Sequence, residues 1–342
     1  MDSEIERRKR DHVMNSLRQD SQYDLTSWLE FVMPIHNALP EIDYDKIDTS
    51  VVFFGKNFSY PIYISGMTGG FNDAYKINSE LANIAEKYNI PLGLGSIRAM
   101  LKNPTLKYTY DVKRGKDIFM IANIGGVQLK EYSNRTILDA MDSIEADAIA
   151  IHLNPAQELI QKEGDLNWNG VMDRIVELAD DTRVIVKEVG AGLSYYVIDR
   201  LKDSKVAYYD VAGAGGTSWT KIEYLRNPDA PKGFENWGIP TALALLMNRN
   251  KARLLASGGI RNGVDGFKTI LLGAELFGMA KPFLEMALGK SNNILDLIIQ
   301  QFKGAMFLTG SKDINTIRKV DYVILDPLKS AYEQIRSSIL KR

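Results

Sequence analysis

The sequence predicts an α/β protein: a (β/α)8 TIM barrel with an N-terminal helical extension and extra C-terminal helices. Eight short apolar runs recur between Ile62 and Met279, most of them separated by periodic stretches long enough for a helix. The seventh and eighth runs stop in small residues and open helices, at Ser257-Gly-Gly-Ile-Arg261 and at Gly278-Met-Ala-Lys281. Two such turns late in a βα series are where this barrel holds a phosphate. Run after run also ends in polar residues or glycine, and strand ends carry the active site on this fold.

Residues 1–20 are charged and helical in pattern, with Ile5, Val13 and Leu17 as sparse apolar points. They open an N-terminal extension spanning 1–60. The barrel is expected over about 61–290, its strands at Ile62–Ser65, Pro91–Leu94, Ile118–Ala122, Ala148–Ile151, Arg183–Val186, Val206–Val211, Arg253–Ala256 and Ala274–Met279. The second connection, Asn103–Val112, must hold a short helix. The sixth, Ala212 to Thr241, is rich in Gly, Pro and Trp, and a loop of that length is usually functional or mobile. In the tail, 291–342, Asn293–Leu308 and Leu328–Leu340 read as helices packed outside the barrel. No linker composition interrupts the chain, so 1–342 is expected to be one domain.

Composition excludes several classes of function. At 342 residues and a formal charge of −1, the chain has no global basic field for nucleic acid. No apolar stretch approaches 18 residues and no signal-peptide pattern opens the chain, so neither membrane nor export is expected. Zero cysteines remove disulfides, thiolate metal sites and cysteine nucleophiles, and suit a cytoplasmic protein.

The rim residues carry the chemistry. The first run leads into Ser65-Gly-Met-Thr-Gly-Gly70, the second into Gly95-Ser-Ile-Arg98, the third into Asn123 and the fourth into His152-Leu-Asn-Pro-Ala-Gln-Glu158. The fifth ends in Lys187, the sixth runs into Gly213-Ala-Gly-Gly-Thr-Ser-Trp219, and the seventh is the diglycine turn. Glycines at 69, 70, 215 and 216 fit either backbone pressed against a large flat ligand or turn geometry. Thr217 and Ser218 suit a second phosphate pocket. A lysine at a buried strand end needs a partner charge or a polar ligand, and strand alternation turns Glu188 away from Lys187. Glu158 is either a Mg²⁺ ligand beside a substrate phosphate or a helix-start glutamate. His152 is a general acid, a phosphate donor or hydrogen-bonded structure; phosphate donor is the favoured reading. Arg98 and Arg8-Lys9 are candidates for a second phosphate, although on spacing alone Arg7–Arg10 reads as a solvated charge run.

Taken together, these segments resemble the FMN-dependent, type 2 isopentenyl-diphosphate isomerase family. The matching stretches are Arg8-Lys-Arg-Asp-His12, Met67–Gly70, Gly95–Arg98, Ala122-Asn123, His152–Glu158, Val186–Gly190, Gly215–Trp219, Phe234–Thr241 and Ser257–Asp265. The His-Leu-Asn…Gln-Glu segment and the N-terminal Arg-Lys…His are the most specific; the diglycine turn alone indicates only an FMN barrel. Asp11 stands where Glu is more usual, and Ile97 where Gln is frequent.

The resemblance implies a site. FMN is held by Met67, Thr68, Gly69, Ser96, Asn123, Lys187 and Thr217, with its phosphate at Gly258, Gly259 and Arg261 beside Ala280 and Lys281. The diphosphate of a small prenyl substrate meets Arg8, Lys9, His12, Ser96, Arg98 and Asn154. His152, Gln157 and Lys187 are the expected catalytic set, Glu158 binds Mg²⁺, and NADPH charges the flavin. A homo-oligomer, tetramer or octamer, is also implied. The rival reading is a flavin 2-hydroxy acid oxidase. It needs a histidine base before the diglycine strand, and residues 188–342 contain none.

Overall fold

The computed structural model describes residues 4–291 and 293–340. Eight parallel strands close a barrel: β1 (Ile62–Ile64), β2 (Leu92–Gly93), β3 (Met120–Gly125), β4 (Ala148–Leu153), β5 (Val184–Glu188), β6 (Tyr208–Asp210), β7 (Leu254–Ala256) and β8 (Ala274–Met279). Each predicted apolar run overlaps one of them, and the third, fourth and fifth strands run on past the predicted ends to Gly125, Leu153 and Glu188. β8 pairs with β1, which leaves no open edge.

The crossover helices form where apolar residues recur at helical spacing. Ala74–Tyr88 buries Ile77, Leu81, Ala82 and Ala85 on one stripe and stops at Asn89, which turns left-handed with φ +47°. Val171–Asp181 buries Val171, Ile175 and Leu178 in the same way. Gly263–Leu271 starts on Asn262, whose side chain accepts from the Asp265 amide at 2.8 Å. The second connection folds as a one-turn α-helix, Arg98–Lys102, and a 3-10 helix, Pro104–Thr109. The sixth is not a bare loop: it holds the helix Trp219–Arg226.

Inside the barrel, Ile121, Ala150, Ile185, Leu255 and Leu276 pack in one cluster with Phe53, Phe58, Phe119 and Tyr208. Phe53 and Phe58 belong to an antiparallel hairpin, Val51–Phe53 with Lys56–Phe58. The Phe53 and Tyr208 rings lie 4.7 Å apart, so the hairpin stoppers the N-terminal end of the barrel. A second antiparallel pair, Val32–Pro34 with Tyr322–Ile324, ties the N-terminal extension to the C-terminal one. The sequence pattern signals neither pair, because three-residue strands leave too short a period to read. The tail helices run Ile294–Leu308 and Leu328–Leu340. No helix among the described residues is long and apolar enough to cross a membrane.

Candidate active site

Strand alternation lifts a polar layer above the apolar cluster. His152 on β4, Lys187 on β5 and Asp210 on β6 are register partners in one lateral row. Above this row two cavities open, of about 360 Å³ and about 140 Å³. They meet along Gly66, Met67, Lys187, Val189, His12 and Trp219, which line both. A roomier apolar cavity, about 1020 Å³, lies outside the barrel wall around Trp168, Phe234 and Trp237; no predicted site residue lines it.

The larger cavity collects Thr217, Gly258, Gly259, Arg261, Ala280 and Lys281. Gly258 (φ +91°) and Gly259 (φ +69°) are left-handed, and a Cβ on Gly258 would stand 2.0 Å from the Gly213 carbonyl oxygen. The turn therefore requires glycine twice over. Arg261 donates to Gly215 O at 3.0 Å, locking this turn to the sixth connection.

The smaller cavity collects Arg8, Lys9, Ser96, Arg98, Asn123, His152, Asn154, Gln157 and Glu158. Its cations arrive from the N-terminal helix, Glu4–Ser16, and from the start of Arg98–Lys102. The Lys9 ammonium donates to Gly69 O (2.8 Å), Ser96 O (2.7 Å) and Tyr110 Oη (3.0 Å). Burial, reinforced by Arg8 and Arg98, pushes its pKa down to about 7. Far from being solvated, this lysine is the pin that holds the helix against two rim loops. Arg98 pairs with Glu131 at 2.8 Å, yet its buried Nε meets no acceptor. Asn154 donates to Gln157 Oε1 and Glu158 Oε1 at 3.1 and 3.2 Å, and its buried Oδ1 meets no donor. An unpaired donor and an unpaired acceptor on one small cavity are what an anion with a cation or water would satisfy.

His152 is neutral. Burial first, then Lys187 and Lys9, push its pKa down to about 3. Its Nδ1 lies 2.6 Å from Asn123 Oδ1, so Nδ1 carries the proton and Nε2 is an acceptor. Lys187 Nζ donates to Glu188 O at 2.5 Å. The Glu188 side chain turns the other way, as alternation requires, and accepts from the amides of Val189 and Gly190 at 2.6 Å and from Ala191 and Gly192.

The glycines of the first and sixth rim loops are explained by chain packing. A Cβ on Gly69 would strike Tyr110, and one on Gly215 would strike Ser27, at 2.0 and 2.2 Å. Thr68 is buried against Asn78, and neither Thr68 nor Gly69 lines either cavity. Ser96 lines only the smaller one.

Comparison with known proteins identifies the chain. Residues 240–323 match the family model of the FMN-dependent dehydrogenases. An isopentenyl-diphosphate delta-isomerase from Rickettsia bellii is 42% identical over 330 residues, covering 92% of this chain and 96% of its own. One from Pyrococcus abyssi is 42% identical over 339 residues, covering 93% and 92%. The chain belongs to the isopentenyl-diphosphate delta-isomerase family. A mandelate oxidase structure superimposes with a TM-score of 0.62 at 17% identity, over 94% of this chain and 97% of that one. That likeness is one of fold alone.

Sequence reasoning missed the residue that joins the halves of this isomerase-family site. Glu223, on Trp219–Arg226, is fully buried and takes His12 Nε2 at 2.7 Å and Gln157 Nε2 at 3.0 Å on one oxygen. Arg226 donates to the other at 2.6 Å. Burial alone would push this carboxyl up, but His12, Gln157 and Arg226 together draw it below its ordinary value. The Gly215–Trp219 motif ends at the first residue of its helix, and only its distant partners, His12 and Gln157, reveal it. Trp219, quoted in a motif but given no role, holds its ring edge-on to His12 at 5.2 Å.

Proposed function

We propose that this chain interconverts isopentenyl and dimethylallyl diphosphate by a 1,3-allylic proton shift. The observation that carries the reading is the pair of adjoining cavities. One has a diglycine turn at its end, the other converging cations and an unpaired acceptor, and Lys187 lies where they meet.

FMN fits the larger cavity: the left-handed glycines and the starts of Gly263–Leu271 and Lys281–Ala287 suit its phosphate. Reduced FMN, when bound, supplies the acid–base group for both proton transfers, with NADPH as its reductant. Mg²⁺ fits beside Glu158 and the unpaired Asn154 Oδ1, because a single carboxylate with substrate phosphate is a common magnesium arrangement. Among the described residues no three acidic or histidine side chains form a ready metal site, so substrate oxygens complete the ligand set.

The chain's own residues bind and orient. Arg98 and Arg8 fork onto the diphosphate, and Lys9 shapes the loops that receive it. Fixing the charged end aims the five-carbon tail at the seam between the cavities. Trp219 and Met67 close that seam against water, which a cation-like transition state on a simple alkene requires. Lys187, which lines both cavities, would hold the flavin and favour its anionic reduced form. Gln157, held by Glu223, faces the same space.

Anaerobic incubation with isopentenyl diphosphate, FMN, Mg²⁺ and NADPH tests this. The expected result is dimethylallyl diphosphate with catalytic NADPH use. NADPH consumed one-for-one with product overturns it in favour of an oxidoreductase.

A further inference from the structure

Asp210 is a buried carboxylate that the proposed mechanism does not use. It is 1% exposed at the C-terminal end of β6. Tyr63 Oη donates to it at 2.6 Å from β1, and Ser257 Oγ donates at 2.8 Å from the end of β7. The Ala212 amide adds a bond at 3.2 Å, and Ala212 itself is a left-handed non-glycine residue with φ +37°. Every one of these bonds is accepted and none donated, on both carboxylate oxygens. The group is held rigidly, and no ion pair with it is seen among the described residues.

The cation at its level in the barrel is Lys187. Lys187 and Asp210 are cross-strand partners in the β5–β6 ladder, so both point inward at one level. They line one small cavity of about 20 Å³, enough for a single bridging water. The rest of the row offers no other anion: His152 is neutral, and the Glu188 carboxylate faces the far side of the wall, satisfied by four amides. Tyr63, the other titratable group facing Asp210, is pushed far up by burial and by Asp210 itself. The Lys187 ammonium is otherwise bonded to a neutral carbonyl.

We propose that Asp210 is a positioning residue for Lys187, a fixed counter-charge one strand away that holds the lysine ammonium in place under the cofactor cavity. This rests on the flavin reading of that cavity. A carboxylate locked by three strands cannot follow the lysine when it moves, so the lysine is drawn to one place.

The test is FMN binding to apoprotein, read by flavin fluorescence in a double-mutant cycle. Asp210→Asn is expected to weaken FMN binding about tenfold in the wild-type background and to change nothing further in a Lys187→Met background, because the carboxylate acts only through the lysine. Equal losses in both backgrounds reduce Asp210 to a structural strut and overturn the proposal. Wild type that binds no FMN refutes the flavin cavity as well. A second measurement holds even where Asp210→Asn does not fold. Tyr63→Phe, which loosens Asp210 without changing charge, is expected to weaken FMN binding in the wild-type background and not in Lys187→Met; equal losses in both backgrounds also overturn the proposal.

Discussion

His12 and Glu223 stand 211 residues apart in sequence and 2.7 Å apart in space. The carboxylate is wholly buried and the imidazole nearly so, and their bond fixes the N-terminal helix across the barrel mouth. The same carboxylate holds Gln157, so one oxygen sets both a wall and a floor of the smaller cavity.

Glu223→Gln keeps the shape but removes the charge from a buried three-partner hub. Loss of charge-assisted bonds costs about 2 kcal/mol. Urea unfolding is expected to show that loss, and steady-state kinetics a raised KM as His12 and Gln157 drift. Unchanged KM with reduced stability would mean that Glu223 serves only the fold.

Lys187→Ala and Glu158→Gln separate the two cavities. The lysine change is expected to weaken FMN binding and cut turnover by at least tenfold. The glutamate change is expected to leave FMN bound and raise the Mg²⁺ concentration needed for half-maximal rate. An unchanged magnesium requirement removes Glu158 from the metal role.

Lys9 has a worked pH consequence. Its folded pKa, about 7, lies below the unfolded value of 10.5. Between those values the unfolded chain holds a proton that the native one has lost, so stability rises with pH across that window. The slope is at most about 1.4 kcal/mol per pH unit. Denaturant curves for wild type and Lys9→Met should diverge in favour of wild type from pH 7 towards pH 10. Parallel curves would show that Lys9 does not titrate there.

Gly258→Ala tests the diglycine turn. The new methyl meets the Gly213 carbonyl, and a left-handed φ adds strain of about 1–3 kcal/mol. Purified variant is expected to be less stable and to retain less FMN. Full flavin occupancy at wild-type stability would contradict the turn's assigned role.

Much of the site was legible because barrel chemistry is local to strand ends. His152–Glu158, Lys187 and Ser257–Arg261 each follow an apolar run directly, so a one-dimensional reading places them on the rim. The N-terminal Arg8 and Lys9 look like a solvated run by pattern, since nothing nearby announces the acceptors of Lys9. Those acceptors, Gly69 O and Ser96 O, lie 60 and 87 residues away.

The amino-acid order alone determined the barrel, its strand order and the residues at its mouth, because alternation and turn chemistry act over a few residues. Tertiary structure alone decided which of those residues meet. It gave Lys9 three acceptors, set the proton of His152 on Nδ1 against Asn123, and exposed Glu223 and Asp210 as buried charges with distant partners. Burial and pairing across a closed barrel depend on contacts between strands far apart in the chain, and no local pattern encodes them.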